Sequence, residues 1–134
     1  MAKTFKFEVI TPEKVVYSDS VLGITADGTE GSFGVLADHA PFITEIQTSI
    51  LTVNDGNNKT IRFALDGGFL EVFANNVVVL TDACVTEDEI DIEKARAEKD
   101  FAEKAIAKEG SLKEKAKAQG ALKRANMWLR LVNK

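Results

Sequence analysis

The sequence predicts an α+β protein whose two kinds of structure are segregated along the chain. An antiparallel β-sandwich or barrel comes first and an antiparallel helical hairpin follows. Three observations predict this. Up to about residue 86, apolar residues alternate or come in short runs broken by Gly, Asn and Asp, the pattern of short strands joined by turns. Beyond that point there is no Pro, Ala and charged residues dominate, and apolar residues recur at helical spacing. The charge changes sign over the same stretch, Asp82–Asp91. Residues 1–90 carry 5 Lys/Arg against 14 Asp/Glu, and residues 91–134 carry 12 against 7, which gives the net −4 of the whole chain. The chain is thus read as a β domain, 1–86, and a helix-turn-helix arm, 87–134.

The strands follow in order. Phe5, Phe7 and Val9 alternate with Lys6 and Glu8, and Thr11-Pro12-Glu13 ends this strand as a turn. Val15–Tyr17 and Val21–Ala26 are the next strands, and Asp27–Gly31 is a loop. Ser49–Val53 is a strand closed by the turn cluster Asn54–Asn58. Ile61, Phe63 and Leu65 alternate, Gly67-Gly68 interrupts as a bulge or a close backbone approach, and Phe69–Phe73 resumes. Asn75-Asn76 suits a two-residue hairpin turn because Asn tolerates positive φ. Val77–Leu80 is wholly apolar and is expected to be buried on both faces.

The helices carry their own start and stop signals. Thr86-x-x-Glu89 has the form of a capping box, and Asp91 can also cap. The first helix is expected to reach about Glu109, with Gly110 as its C-cap and Ser111-x-x-Glu114 opening the second. Ala118, Leu122, Ala125, Leu129 and Val132 form a narrow seam, matched by Ala95, Ala102, Ala105 and Ile106. The short connection makes the helices antiparallel. Gly120 within the second helix costs about 1 kcal/mol against Ala, and an Ala-rich seam buries little area. A hairpin held this weakly is the kind of element that changes state.

Composition narrows the function classes. An apolar fraction of 45% with eight Phe among 134 residues supports one modest core. The acidic β half does not suit nucleic acid, and one Trp and one Tyr make a poor stacking platform for the basic half. Apolar runs are too short for membrane insertion, the N-terminus has no apolar signal region, and a single cysteine, Cys84, allows no internal disulfide.

Candidate chemical sites are few. His39 is the sole histidine and has no nucleophile in an activating motif beside it, so a loop histidine bonded to nearby backbone or a partner is expected. A small hydrolase using His39 with Asp38 is the enzymatic alternative. Cys84, in an apolar strand, is expected to be an inert buried thiol. The glycines lack a Gly-Lys-Ser/Thr ending and make no phosphate loop. The second helix carries Lys113, Lys115, Lys117, Lys123, Arg124, Arg130 and Lys134 against Glu114 alone, an imbalance that favours an acidic partner over a merely solvated face.

Four stretches together resemble the epsilon subunit of the F-type ATP synthase, of the bacterial type. Gly34-Val35-Leu36-Ala37-Asp38-His39-Ala40-Pro41 is similar to the family's Gly-Val-Leu-Pro-x-His-Ala-Pro, with Ala37 in place of Pro. Gly67-Gly68-Phe69-Leu70-Glu71-Val72 matches its Gly-Gly-Phe-Leu-Glu-Val. Val79-Leu80-Thr81-Asp82 with Ile90-Asp91, and Ala121–Asn126 in the second helix, complete a match that runs through the whole chain in order. The resemblance implies a flattened β-sandwich with a C-terminal helical hairpin and a non-enzymatic rotor part of the central stalk. Its implied partners are the gamma subunit, the c-ring and, through a mobile hairpin that inhibits ATP hydrolysis, the catalytic beta subunits. It implies a peripheral place on the cytoplasmic face of the cell membrane.

Residue by residue, the resemblance implies docking to gamma and the c-ring by Thr11, Glu30, Ser32, His39 and Thr44. It implies inhibitory contact to the beta subunit by Lys113, Lys115, Lys117, Lys123, Arg124 and Arg130. Some bacterial members bind ATP on the hairpin through Ile/Leu-Asp-x-x-Arg-Ala. Here Ile90-Asp91-Ile92-Glu93-Lys94-Ala95 puts Lys94 where the Arg stands, without the planar fork for phosphate. Phe101 and Trp128 stand where those members carry further arginines, and Arg124 is kept. A weak site of Asp91, Lys94 and Arg124 is therefore the most that is expected, with no tight cofactor and no metal. Two further readings compete with the rotor subunit: a freestanding nucleotide sensor resting on these three residues, and a chaperone-like helical clamp, which the hairpin permits.

Overall fold

The computed structural model describes residues 3–28, 31–57, 59–108 and 110–133. The chain divides into two compact units, Met1–Thr86 and Glu87–Lys134. The first is built of strands β1 (Phe5–Ile10), β2 (Val15–Val21), β3 (Gly23–Gly28), β4 (Gly31–Leu36), β5 (Phe42–Asn54), β6 (Thr60–Phe73), β7 (Asn76–Leu80) and β8 (Cys84–Thr86). They form one sheet in the order β2-β1-β7-β6-β5-β3-β4, with β8 added to β6. Every pairing is antiparallel except β1 with β7, which is parallel, from Lys6 opposite Asn76 to Ile10 opposite Leu80. No local pattern predicts this pairing, because parallel partners are not neighbours along the chain.

β5 and β6 run the length of the unit and belong to both layers of the sandwich. They pair from Phe42 opposite Val72 to Asn54 opposite Thr60 without a change of register. Midway, where Gln47 faces Gly67, the inward set changes parity in both strands. Ile46 gives way to Leu51 and Val53 in β5, and Phe63 and Leu65 give way to Leu70 and Val72 in β6. Gly67 (φ 75°) and Gly68 (φ 137°) take conformations that side chains rarely adopt, and they make this turnover possible. A Cβ on Gly68 would overlap the Leu80 carbonyl oxygen. Of the two readings of this pair, the close backbone approach is the one the structure takes. Thr81 secures the same corner: its Oγ1 donates to Gly67 O at 2.5 Å and its N–H to Ile10 O at 3.0 Å.

The core between the layers comprises Phe5, Phe7, Val9, Val21, Ile24, Val35, Leu51, Phe63, Leu70 and Val79 with their neighbours. Tyr17 completes it at one side, its ring 5.9 Å from Phe7 and 5.5 Å from Phe63. Three expectations need correcting. Val77 and Val79 are buried but Val78 is half-buried and Leu80 exposed, so β7 is covered on one face only. The hairpin turn before β7 is Ala74-Asn75, both at positive φ, because Asn76 already pairs with Phe73. Cys84 is half-buried in β8 rather than sealed in the core.

In the second unit a 3-10 turn, Glu87–Glu89, precedes α1 (Ile92–Ala107) and α2 (Leu112–Asn133). Thr86 ends β8, and Asp91 is the N-cap of α1, its carboxylate accepting Lys94 N–H at 3.1 Å. The α1 C-cap is Lys108, in extended conformation, and Gly110 takes no positive φ. Ser111 caps α2 as its spacing predicts, accepting Glu114 N–H at 3.1 Å. Ala95, Ala102, Ala118 and Ala125 of the expected seam are buried, whereas Leu122, Leu129 and Val132 are half-buried. Met127 and Leu131 are buried on a second stripe of α2 that the sequence reading did not single out.

Candidate functional site

The residues expected to dock fall into two groups. Thr11 closes the β1–β2 turn, its Oγ1 accepting Lys14 N–H at 3.3 Å. Ser32 is exposed near the start of β4 and hydrogen-bonds Asp27 across the β3–β4 pair. Glu30 lies outside the described residues. Thr44, half-buried in β5, faces Leu70 in register and donates to Glu45 O at 3.3 Å. His39 lies apart from Thr11 and Ser32. By strand register, Thr11 follows the row Ile10–Leu80–Phe69–Glu45, whereas His39 precedes the row Phe42–Val72–Val77–Phe7. The two ends of the sheet therefore carry separate sets.

At the His39 end, the loop after β4 is tied by its own contacts. His39 N–H donates to Leu36 O at 3.2 Å, its Nδ1 to Ala40 O at 2.8 Å, and its ring packs 5.7 Å from Phe42. Phe42 in turn meets Phe33 edge-on at 5.4 Å. Asp38 does not face the imidazole. Its carboxylate accepts Lys3 Nζ at 2.8 Å and Asn75 Nδ2 at 3.0 Å, and its N–H donates to Asn75 Oδ1 at 2.6 Å. Those bonds, Lys3 first, hold the Asp38 carboxyl below the ordinary carboxylate range. With the Asp38 carboxylate bonded to Lys3 and Asn75, the hydrolase alternative lacks the carboxylate that would orient His39 as its base.

Sequence reasoning missed the outer face of β5–β6–β7. Ile43, Phe69, Phe73 and Leu80 are each 51–65% exposed there. Phe69 stands between Glu45 and Leu80 in register, with Glu71 between Ile43 and Val78. The signal was present in Phe69-x-Glu71-x-Phe73, whose odd positions share a face. It was hidden by the assumption that an apolar β7 must be covered on both sides.

On the helical unit, the three residues of the expected nucleotide site do not converge. Lys94 and Arg124 line one shallow hollow of about 380 Å³ with Ala97, Glu98, Phe101 and Ala121, but Asp91 is not part of it and serves as the α1 cap. Phe101, 77% exposed, occupies the hollow's rim, and Arg124 lies 5.6 Å over the Trp128 ring. The cations of α2 also do not share one face. Lys113, Lys117 and Arg124 follow one stripe at spacings of four and seven, Lys123 and Arg130 follow another, and Lys115 stands apart. Lys113, Lys117, Lys123 and Arg130 are exposed, and Lys115 and Arg124 are half-buried. Among the described residues no cluster of three metal-ligating side chains occurs, and no helix is long and apolar enough to cross a membrane.

Comparison with known proteins adds a family. Residues 4–87 match the beta-sandwich domain of the ATP synthase delta/epsilon chain, and residues 88–133 match its long alpha-helix domain. The ATP synthase epsilon chain of Desulforamulus reducens is 39% identical over 125 residues, covering 93% of this chain and 94% of that one. That of Syntrophobacter fumaroxidans is 38% identical over 135 residues, covering 100% and 99%. Among solved structures, a chain of the Euglena gracilis mitochondrial ATP synthase assembly of OSCP, F1 and c-ring superposes with a TM-score of 0.86 at 22% identity, over 98% of this chain and 82% of that one. A chain of the Tetrahymena thermophila mitochondrial ATP synthase central stalk and c-ring gives 0.66 at 18% identity, over 97% of each.

Proposed function

The chain belongs to the ATP synthase delta/epsilon family, among relatives that are epsilon chains, and on that footing we propose that it is a non-catalytic rotor subunit of the central stalk. In this reading residues 1–86 dock on the gamma subunit and the c-ring, and residues 87–134 form a mobile arm that restrains ATP hydrolysis by reaching the catalytic beta subunits. The protein sits peripherally on the cytoplasmic face of the cell membrane.

The observation that carries the docking half is the exposed apolar face of β5–β6–β7. A unit with a complete core of its own nevertheless leaves Ile43, Phe69, Phe73 and Leu80 open on one sheet face. Clustered large apolar side chains ringed by charge are the mark of a surface that an assembly covers. Thr11, Glu30, Ser32, His39 and Thr44 are assigned to the same docking role, with Thr11 and Ser32 at one end of the sheet and His39 at the other. A protein of residues 1–86 should fold and bind a stalk stripped of the full chain; an insoluble or non-binding product counts against two separable units.

The arm is assigned its role through charge. Lys113, Lys115, Lys117, Lys123, Arg124 and Arg130 attract acidic loops over about one Debye length, ~8 Å at physiological salt. Each exposed pair contributes ~0.2–1 kcal/mol, so single changes have small effects. Changing Lys113, Lys117, Lys123 and Arg130 together to Gln removes about 1–4 kcal/mol, enough to shift a two-position arm roughly fivefold or more. Hydrolysis by the reconstituted complex should rise for this variant and at least as much on deleting residues 87–134, with assembly intact. Equal rates for wild type, quadruple variant and truncation would remove the regulatory role.

A second reading is supported by the hollow on the helices. Lys94 and Arg124 together can meet a phosphate group there, weakly, since Lys94 lacks the fork of an arginine and Phe101 supplies no charge. Asp91 has no part in such a contact beyond capping the helix that carries Lys94.

A further inference from the structure

We propose that Lys3, Asp38 and Asn75 form a latch that positions the Leu36–Pro41 loop for docking. The inference rests on the reading of the β unit as a docking module and names how one end of that module is set.

Three separate pieces of chain meet at this point. Lys3 belongs to the segment before β1, Asp38 to the β4–β5 loop, and Asn75 to the β6–β7 turn. Asp38 and Asn75 are held at φ 63° and 61°, conformations uncommon for residues other than glycine. Each spends its side chain on the other. Asn75 Oδ1 accepts the Asp38 N–H at 2.6 Å while Asn75 Nδ2 donates to Asp38 Oδ1 at 3.0 Å, a closed two-bond pair. Lys3 Nζ caps both carboxylate oxygens at 2.8 Å. The Asn75 carbonyl also accepts the Lys6 N–H at 3.0 Å, which anchors the latch to β1.

The loop gains its direction from this. Between β4 and β5 it has one backbone bond of its own, His39 N–H to Leu36 O at 3.2 Å. Leu36 is 68% exposed at its start, above a hollow lined by Leu22, Gly23 and Asn54. A loop with an exposed leucine and a half-buried imidazole loses binding free energy if it must be ordered on contact, and the latch orders it beforehand. Lys3, Asp38 and Asn75 are thus positioning residues, acting through Leu36 and His39.

The test uses the full chain and two readouts. Asn75→Gly removes both side-chain bonds yet suits the positive φ, so the turn persists. Asp38→Asn keeps both bonds to Asn75 and gives up only the ion pair. Amide hydrogen exchange at His39 should speed up about tenfold in Asn75→Gly and much less in Asp38→Asn, with the amides of β5–β6 unchanged. Affinity for a stalk complex stripped of this chain should fall about two- to tenfold in Asn75→Gly and recover in Asp38→Asn. Unchanged His39 exchange overturns the latch, as does faster exchange with unchanged affinity, which would mean that the loop does not dock. Failure of wild type to bind the stalk would instead overturn the docking reading, while the exchange data still decide the latch.

Discussion

Replacing Gly68 by Ala probes what fixes the corner of the sandwich. A Cβ at this position overlaps the Leu80 carbonyl oxygen and comes to 3.0 Å from both Leu80 C and Thr81 Cα. All three are backbone atoms, so no side-chain rotation relieves the contact. Gly67 shares a positive φ but a Cβ there meets nothing nearer than Ile46 O at 3.7 Å. Gly34 has neither restraint, with Ile24 O at 3.6 Å. Three Gly→Ala variants therefore separate strain from overlap. Gly34→Ala should change stability by no more than about 1 kcal/mol, in the stabilising direction, by restricting the unfolded chain. Gly67→Ala should cost about 1–2 kcal/mol for holding an L-residue at positive φ. Gly68→Ala adds an overlap of about 1–3 kcal/mol to a backbone conformation at least as unfavourable, for roughly 2–5 kcal/mol in all. At ~4–8 °C per kcal/mol for a domain of this size, Tm should fall by on the order of 10 °C or more. Thermal and urea unfolding of the full chain followed by circular dichroism in the β-sheet band reads this, while Trp128 fluorescence follows the helical unit. A Gly68→Ala variant as stable as Gly67→Ala would refute the reasoning, because the overlap would then be absorbed at no cost.

Other expectations follow from single contacts. Asp91→Ala removes the α1 cap and should destabilise the helical unit by about 0.5–2 kcal/mol, whereas Gly120→Ala, with nothing within 4 Å of the new methyl, should stabilise it by about 0.5–1 kcal/mol. Trp128-detected urea melts moving the same way for both would contradict the helix assignment. Because Asp38 is held below its ordinary pKa, its contribution is present above the unfolded-state value and is lost as pH falls through the folded one. Carboxyl chemical shifts followed to about pH 2 should give Asp38 a midpoint below that of an unfolded-chain Asp, and Lys3→Met should raise it; no rise would mean the ion pair is not formed in solution. ATP at about 1 mM should leave the melting temperature nearly unchanged, since the linkage RT ln(1 + [L]/Kd) is small for a Kd above the millimolar range. A shift of several degrees would show that Lys94 and Arg124 hold nucleotide well.

Much of the architecture was legible because local patterns carry it. Alternation in Phe5–Val9 and Ile61–Leu65, the Ser111 cap and the alanine seam are each decided within a few residues, and the structure keeps them. What escaped the sequence depends on residues far apart. The Asp38–Asn75 pair and its Lys3 partner have no spacing rule, since each side chain would satisfy a surface loop equally well alone. The overlap at Gly68 requires Leu80, and a Gly-Gly pair reads the same whether it bulges or touches. Of the two helix caps that the pattern offers, α1 starts from Asp91, and Thr86 lies in β8, where it pairs with Phe63, a partner distant in sequence. The motif likewise gives no sign that the Asp91 carboxylate is used by Lys94 N–H.

The parallel pairing of β1 with β7 sets an order of events as the protein is made. Lys6 has no partner on that side until Asn76 exists, and Ile10 none until Leu80 does. A chain leaving the ribosome offers β1 and β2 first, and a lone two-stranded ribbon is marginal in water. The intervening strands must assemble before the N-terminal pair can be seated, and closing so long a segment is slow. The helical unit, whose contacts are nearer in sequence, has no such wait. The strand synthesised first is therefore the one seated last, and its open edge during that interval is where mispairing with a neighbouring nascent chain is most easily begun.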